Sequence, residues 1–106
     1  MKKPVGMLHV KVVRANKLKN KDLMGKSDPY VKLKLTEDNL PSKKTTVKHN
    51  NLNPEWNEEF KFIVKDPDSQ ALEISVYDWE QAHLSRQMFL VIFIEFFFIT
   101  STYSFL

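Results

Sequence analysis

The chain has 106 residues, enough for one domain with a modest core and too few for a second. It has no cysteine, which excludes disulfides, thiolate metal centres and thiol nucleophiles, and its two glycines, Gly6 and Gly25, exclude a glycine-rich phosphate loop. The formal charge of +3 is mildly basic, well short of a nucleic-acid-binding tail, so no nucleic-acid partner is expected.

The first six residues carry two lysines with no apolar run behind them, so no signal peptide is expected. Met7 to Val13 alternates with period two, placing Leu8, Val10 and Val12 on one face of a strand. Residues 14 to 29 are polar and turn-rich, and include Asp22, Gly25, Asp28 and Pro29. Tyr30 to Leu35 is the clearest strand, with Val31, Leu33 and Leu35 inward and Tyr30, Lys32 and Lys34 outward. After a turn at 36–42, Lys44 to His49 reads as a further strand with Lys44, Thr46 and Lys48 on one face. Asn50 to Pro54 is a turn, since the residue before a proline is pushed out of helical conformation. Glu59 to Val64 and Leu72 to Tyr77 alternate again, the first with Phe60, Phe62 and Val64 on one face, the second with Leu72, Ile74 and Val76. Trp56 and Phe60 are expected in the core.

Five short strands separated by turn chemistry predict an all-β antiparallel sandwich. From Met88 to Leu106 the composition changes, and Glu95 is the one charged residue. Three readings of this tail compete: a substitute edge strand, a membrane anchor of about twenty apolar residues, or an aggregation-prone segment. Strands or a poorly packed segment are favoured, because Glu95 would cost a membrane span about 2.5–3.5 kcal/mol.

Acids cluster at predicted strand ends: Asp22 and Asp28 in one loop, Asp78 and Glu80 in another. Carboxylates gathered on one rim repel each other and lose solvation, which a bound Ca²⁺ would offset through its preference for six to eight hard oxygens. The rival reading for any one Asp is a solvated turn residue bonding nearby amides. His9, His49 and His83 form no recognised catalytic constellation, and Asp78 and Glu80 lie too close in sequence to face each other across a cleft. No hydrolase, kinase or zinc signature is present, so a binding module rather than an enzyme is expected.

Three ordered motifs carry a resemblance. Asp22-Leu-Met-Gly-Lys-Ser-Asp28-Pro-Tyr-Val-Lys-Leu-Lys-Leu resembles the first calcium loop and following strand of a C2 domain; Leu52-Asn-Pro-Glu-Trp-Asn-Glu-Glu-Phe60 resembles its central turn, and Val76-Tyr-Asp78-Trp-Glu80 the start of its third loop. The run Lys43-Lys44-Thr-Thr-Val-Lys-His is most similar to plant synaptotagmins and extended synaptotagmins. The resemblance covers residues 5 to 81. It implies a C2 domain over 1–81, incomplete because five of eight strands match, followed by a divergent apolar segment over 82–106. The tail has the composition that T-rich codons encode, as read-through or a mis-assigned exon would produce.

The resemblance implies Asp22, Asp28, Asp78 and Glu80 as Ca²⁺ ligands, with Glu in place of the usual Asp at 80 and Arg86 where a further acid is usual. Leu23 and Met24, at the tip of the first loop beside Asp22, either enter the lipid interface once the ion neutralises the acids or pack within the loop. It pairs the strands bearing Lys32, Lys34, Lys44 and Lys48, which with Lys43 form a cationic face beside Tyr30 and Tyr77; four of these, Tyr30, Lys32, Lys44 and Tyr77, match the family's phosphoinositide site. The expected function is calcium-dependent attachment to anionic phospholipids at the cytoplasmic face of membranes, in the context of contacts between endoplasmic reticulum and plasma membrane. Competing readings are calcium-independent phosphoinositide binding, a protein-interaction module, or a truncated product without activity.

Overall fold

The computed structural model of the chain describes residues 5–18, 28–79 and 96–105. Its strands are β1 (Gly6–Asn16), β2 (Pro29–Leu35), β3 (Lys43–Lys44), β4 (Glu55–Val64), β5 (Leu72–Asp78) and β6 (Phe96–Phe105). They form two three-stranded sheets, ordered β4-β1-β6 and β3-β2-β5, and the strand pairs within each are antiparallel. One apolar cluster fills the space between the sheets, drawn from Val10, Val12 and Ala15 of β1, Val31, Leu33 and Leu35 of β2, Trp56, Phe62 and Val64 of β4, and Val76 of β5. The architecture is the predicted sandwich, with the five expected strands joined by one from the tail.

The period-two pattern explains most of this burial. In β2, Val31, Leu33 and Leu35 are buried while Lys32 and Lys34 between them stay partly exposed. In β1 the pattern holds through Val12 and then changes phase, because the register shifts between Val12 and Arg14 against both neighbours. Against β6 the extra residue is Val13, whereas against β4 the extra residue lies on β4, where Trp56 and Asn57 span the gap; past this irregularity Ala15 rather than Arg14 turns into the core. The strand therefore runs on to Asn16, past its expected end. Opposite the bulge, Asn57 takes a left-handed conformation (φ 51°), which asparagine tolerates better than most residues. This lets β4 begin at Glu55 rather than Glu59 and brings Trp56 into the core, its indole N–H donating to the Thr46 carbonyl at 2.9 Å. Phe60 is half-buried against the same cluster.

The expected strand over 44–49 is largely replaced by an irregular run. The ladder holds just Lys43 and Lys44. The Thr45 hydroxyl then accepts the Val31 N–H at 2.8 Å, a side chain standing in for a ladder carbonyl. Thr46 turns towards the other sheet, its N–H and hydroxyl donating to the Glu58 carboxylate at 3.1 and 2.6 Å. The alternation expected of Lys44, Thr46 and Lys48 is lost at this crossing.

The central turn is tied to the end of β1. Ala15 N–H donates to the Pro54 carbonyl (3.0 Å) and Leu18 N–H to that of Leu52 (2.9 Å), with Leu18 buried beneath. The part of the tail that is described forms a strand, β6, paired with β1 from Asn16↔Phe96 to Gly6↔Phe105. Among the described residues no helix is long and apolar enough to cross a membrane. At the far end of this pairing the Tyr103 ring occupies the space that a side chain on residue 6 would need, so a larger residue there would have to displace that ring.

Candidate calcium rim and cationic face

Strand β2 starts where β5 ends: Pro29 and Asp78 are cross-strand partners. This brings together Asp28 and Asp78, separated by fifty positions in sequence. Asp28 N–H donates to Asp78 Oδ1 at 3.2 Å, and Trp79 N–H donates to the Asp28 carbonyl at 2.9 Å. The central turn closes over the pair, with Asn50 N–H donating to Asp28 Oδ1 at 2.7 Å. Asn50 is left-handed (φ 49°), which aims this amide at the rim. The His49 imidazole Nδ1 lies 3.8 Å from the same oxygen.

Both acids are buried, Asp28 at 8% and Asp78 at 2% exposure. Buried carboxylates require hydrogen bonds or a counter-charge. Asp28 Oδ1 is bonded to the turn, whereas Asp28 Oδ2 accepts no hydrogen bond and pairs with no lysine or arginine among the described residues. An open hard oxygen beside a second buried carboxylate fits a cation such as Ca²⁺. The described residues alone hold no group of three potential metal ligands. Asp22 and Glu80, with Leu23, Met24 and Arg86, lie outside the described residues.

Next to the rim, Tyr30 and Tyr77 are cross-strand partners whose rings stack with centroids 5.6 Å apart. Trp79 meets Tyr30 edge-on at 6.0 Å. Burial under these rings pushes the Tyr30 phenol above its ordinary pKa, with Tyr77 adding to the shift. Lys32 and Lys44 stand directly opposite each other in the ladder, and Lys32 Nζ lies 5.6 Å from the Tyr77 ring centroid. These four residues form a compact cationic and aromatic face.

Two lysines expected on this face have their ammonium groups engaged by other protein groups. Lys43 pairs with Leu33, an inward position, and its ammonium spans the open side of the sandwich to the Lys61 carbonyl at 2.6 Å, 5.0 Å from the Phe62 ring centroid. Lys34 faces outward, but its ammonium is taken up by Asp38 Oδ1 (2.8 Å), the Leu40 carbonyl (2.5 Å) and the Leu35 carbonyl (3.1 Å). That bond to Lys34, with a second from Leu40 N–H, holds the Asp38 carboxyl below its ordinary pKa. Lys48 lies alongside the start of β2, its N–H donating to the Pro29 carbonyl at 3.0 Å.

Residues not singled out in the sequence also shape the face. A shallow groove of about 300 Å³ is lined by Lys32, Lys34, Ser42, Glu73, Ser75 and Tyr77. Glu73 opposes Lys34 and Ser75 opposes Lys32. Parity with Tyr77 along β5 was the available signal for both. Asn50 had no such signal, since its role depends on the conformation of the turn.

The sequence profile described as "C2 domain" matches residues 6–91, past the expected boundary at 81. Synaptotagmin-1 of Arabidopsis thaliana is 72% identical over 87 residues, which cover 82% of this chain and 16% of that protein. The solved C2 domain A of plant extended synaptotagmin 1 is 61% identical with a TM-score of 0.68, over 93% of this chain and 69% of that one. The tandem C2 domains A and B of extended synaptotagmin 2, solved with calcium bound, are 26% identical with a TM-score of 0.63, over 95% of this chain and 35% of that one. The chain thus spans about a sixth of the length of the full-length relative it matches.

Proposed function

The chain belongs to the C2 domain family, and from that footing we propose that it is a peripheral module which attaches to anionic phospholipid surfaces in response to Ca²⁺. The observation that carries this reading is the buried Asp28–Asp78 pair at one rim, with Asp28 Oδ2 open beside it. In the proposal Asp28 and Asp78 hold the ion, and Asp22 and Glu80 add carboxylates from the adjoining loops. Bound Ca²⁺ would offset the negative charge of the rim and attract lipid phosphate. Leu23 and Met24 then enter the lipid interface. The sequence up to Gln81 is taken as the family-like part and 82–106 as divergent. The relative solved with calcium bound supports the choice of ion.

A second reading rests on the other half of the site. Lys32 and Lys44 beside Tyr30 and Tyr77 suit an anionic, phosphoinositide-type headgroup without a metal, at about 1 kcal/mol per basic residue near a membrane surface. The setting proposed for both is the cytoplasmic face of membranes, including endoplasmic reticulum–plasma membrane contacts. Sedimentation with vesicles carrying phosphatidylserine and a phosphoinositide, in Ca²⁺ and in chelator, tests the two together. Binding in Ca²⁺ that is lost in D28N/D78N supports the first, and binding in chelator that is lost in K32Q/K44Q supports the second. No sedimentation in either condition would overturn both and leave a protein-interaction role.

A further inference from the structure

The outer face of the β4-β1-β6 sheet, on the side of the sandwich away from Lys32 and Lys44, carries a second basic groove of about 510 Å³. Along it the register sets Lys61, His9 and Thr102 in one row across the three strands, with Glu59 and Lys11 opposite each other in the next row. Lys43 lines the same groove from the edge of the opposing sheet. Three lysines and an imidazole thus share the groove with one carboxylate. Among the described residues neither His9, Lys11 nor the Lys61 ammonium has an ion-pair or hydrogen-bond partner.

We propose that this groove is a second anion site that takes a phosphate group. Neighbouring strands lie about 4.8 Å apart, so the Lys61–His9–Thr102 row offers an ammonium, an imidazole N–H and a hydroxyl over roughly 10 Å. Such a row can donate to the several oxygens of one phosphate, with Lys11 adding charge from the next row. Thr102 lies beyond the family match, which ends at residue 91. The same chemistry serves a lipid headgroup or a free phosphate. The proposal is independent of the calcium rim.

The test uses the full chain with K32Q/K44Q as parent, in chelator, so that the other face is silent. Amide NMR shifts are followed with inorganic phosphate, with chloride at equal ionic strength, and with phosphatidylcholine vesicles carrying a phosphatidylinositol monophosphate. Saturable perturbation centred on His9, Lys61 and Thr102 is expected. Adding K11Q/K61Q should weaken it roughly fivefold per lysine removed. E59Q should tighten it, an effect that misfolding cannot imitate. Saturation by inorganic phosphate assigns a free phosphate, and a response to the vesicles alone assigns a lipid headgroup. The proposal is overturned if neither probe saturates, if chloride reproduces the shifts, or if E59Q leaves the affinity unchanged or weaker.

Discussion

Asp28 and Asp78 are joined by their own backbone and side chain: the amide of one donates to the carboxylate of the other at 3.2 Å, across fifty positions of sequence. Asp28 Oδ1 in turn accepts from the Asn50 amide. One oxygen of each acid is therefore structural, whatever the second oxygen does.

This division separates two substitutions at the same position. Asp78→Asn keeps an oxygen that can accept the Asp28 N–H, so the thermal midpoint should stay close to that of the parent while Ca²⁺ affinity falls about tenfold or more with the lost charge. Asp78→Ala leaves that buried N–H unsatisfied and should cost about 1–3 kcal/mol of stability as well. Calcium calorimetry and urea unfolding on both variants check this. Equal destabilisation by the two would sink it.

Lys43 should behave unlike its neighbour Lys44. Removing the Lys43 ammonium gives up the bond to the Lys61 carbonyl and the contact with Phe62, and Lys43→Met should lower stability by about 1 kcal/mol. Calcium-independent sedimentation with phosphoinositide vesicles that lack phosphatidylserine should be governed instead by Lys32 and Lys44, falling roughly fivefold for each one replaced by Gln, with little change in the unfolding midpoint.

The Lys34–Asp38 pair predicts a pH dependence. The Asp38 carboxyl sits below its ordinary value in the folded chain, so the folded state releases this proton more readily than the unfolded state. The resulting stabilisation is present above the unfolded pKa and is lost as the pH falls through the lower folded value. Asp38→Asn should narrow the stability difference between neutral and acid pH, read as urea midpoints along a pH series. An unchanged pH profile would count against the pair.

Gly6→Ala should loosen the tail strand. The added methyl overlaps the Tyr103 ring, so the ring must swing off β1 and give up its cover of this end of the pairing, at about 1 kcal/mol. Hydrogen exchange should speed up at the β1 amides facing β6. Truncating Tyr103 in the same chain should restore part of the protection, because it removes the other half of the overlap.

Alternation alone located the two-sheet architecture and the inward faces of β2 and of the Glu59–Val64 part of β4, where Ile63 is the one apolar residue on the outward side. It could not locate the β1 bulge. Val13 looks like any other strand residue, and the change of phase is set by the partner strands on either side. Lys43 was misplaced for a related reason, and Lys34, outward as expected, turns its ammonium to Asp38 and nearby carbonyls. A lysine counts as an outward charge in any pattern, while its long stem can carry the ammonium to a carbonyl on another strand. The adjacency of Asp28 and Asp78, like that of Tyr30 and Tyr77, followed from motif resemblance, but the part played by Asn50 followed from a left-handed turn that no spacing announces.

Strand β6 pairs with β1 through the main chain from Phe96 to Phe105, with one register shift, and the Tyr103 ring lies over Gly6 near its end. An edge read through the backbone selects for extended conformation and length more than for residue identity. The edge of this sheet can thus be closed by segments of varied sequence. In a protein family, such an edge is a place where exon boundaries can drift and C-termini diversify while the remaining strands keep their arrangement.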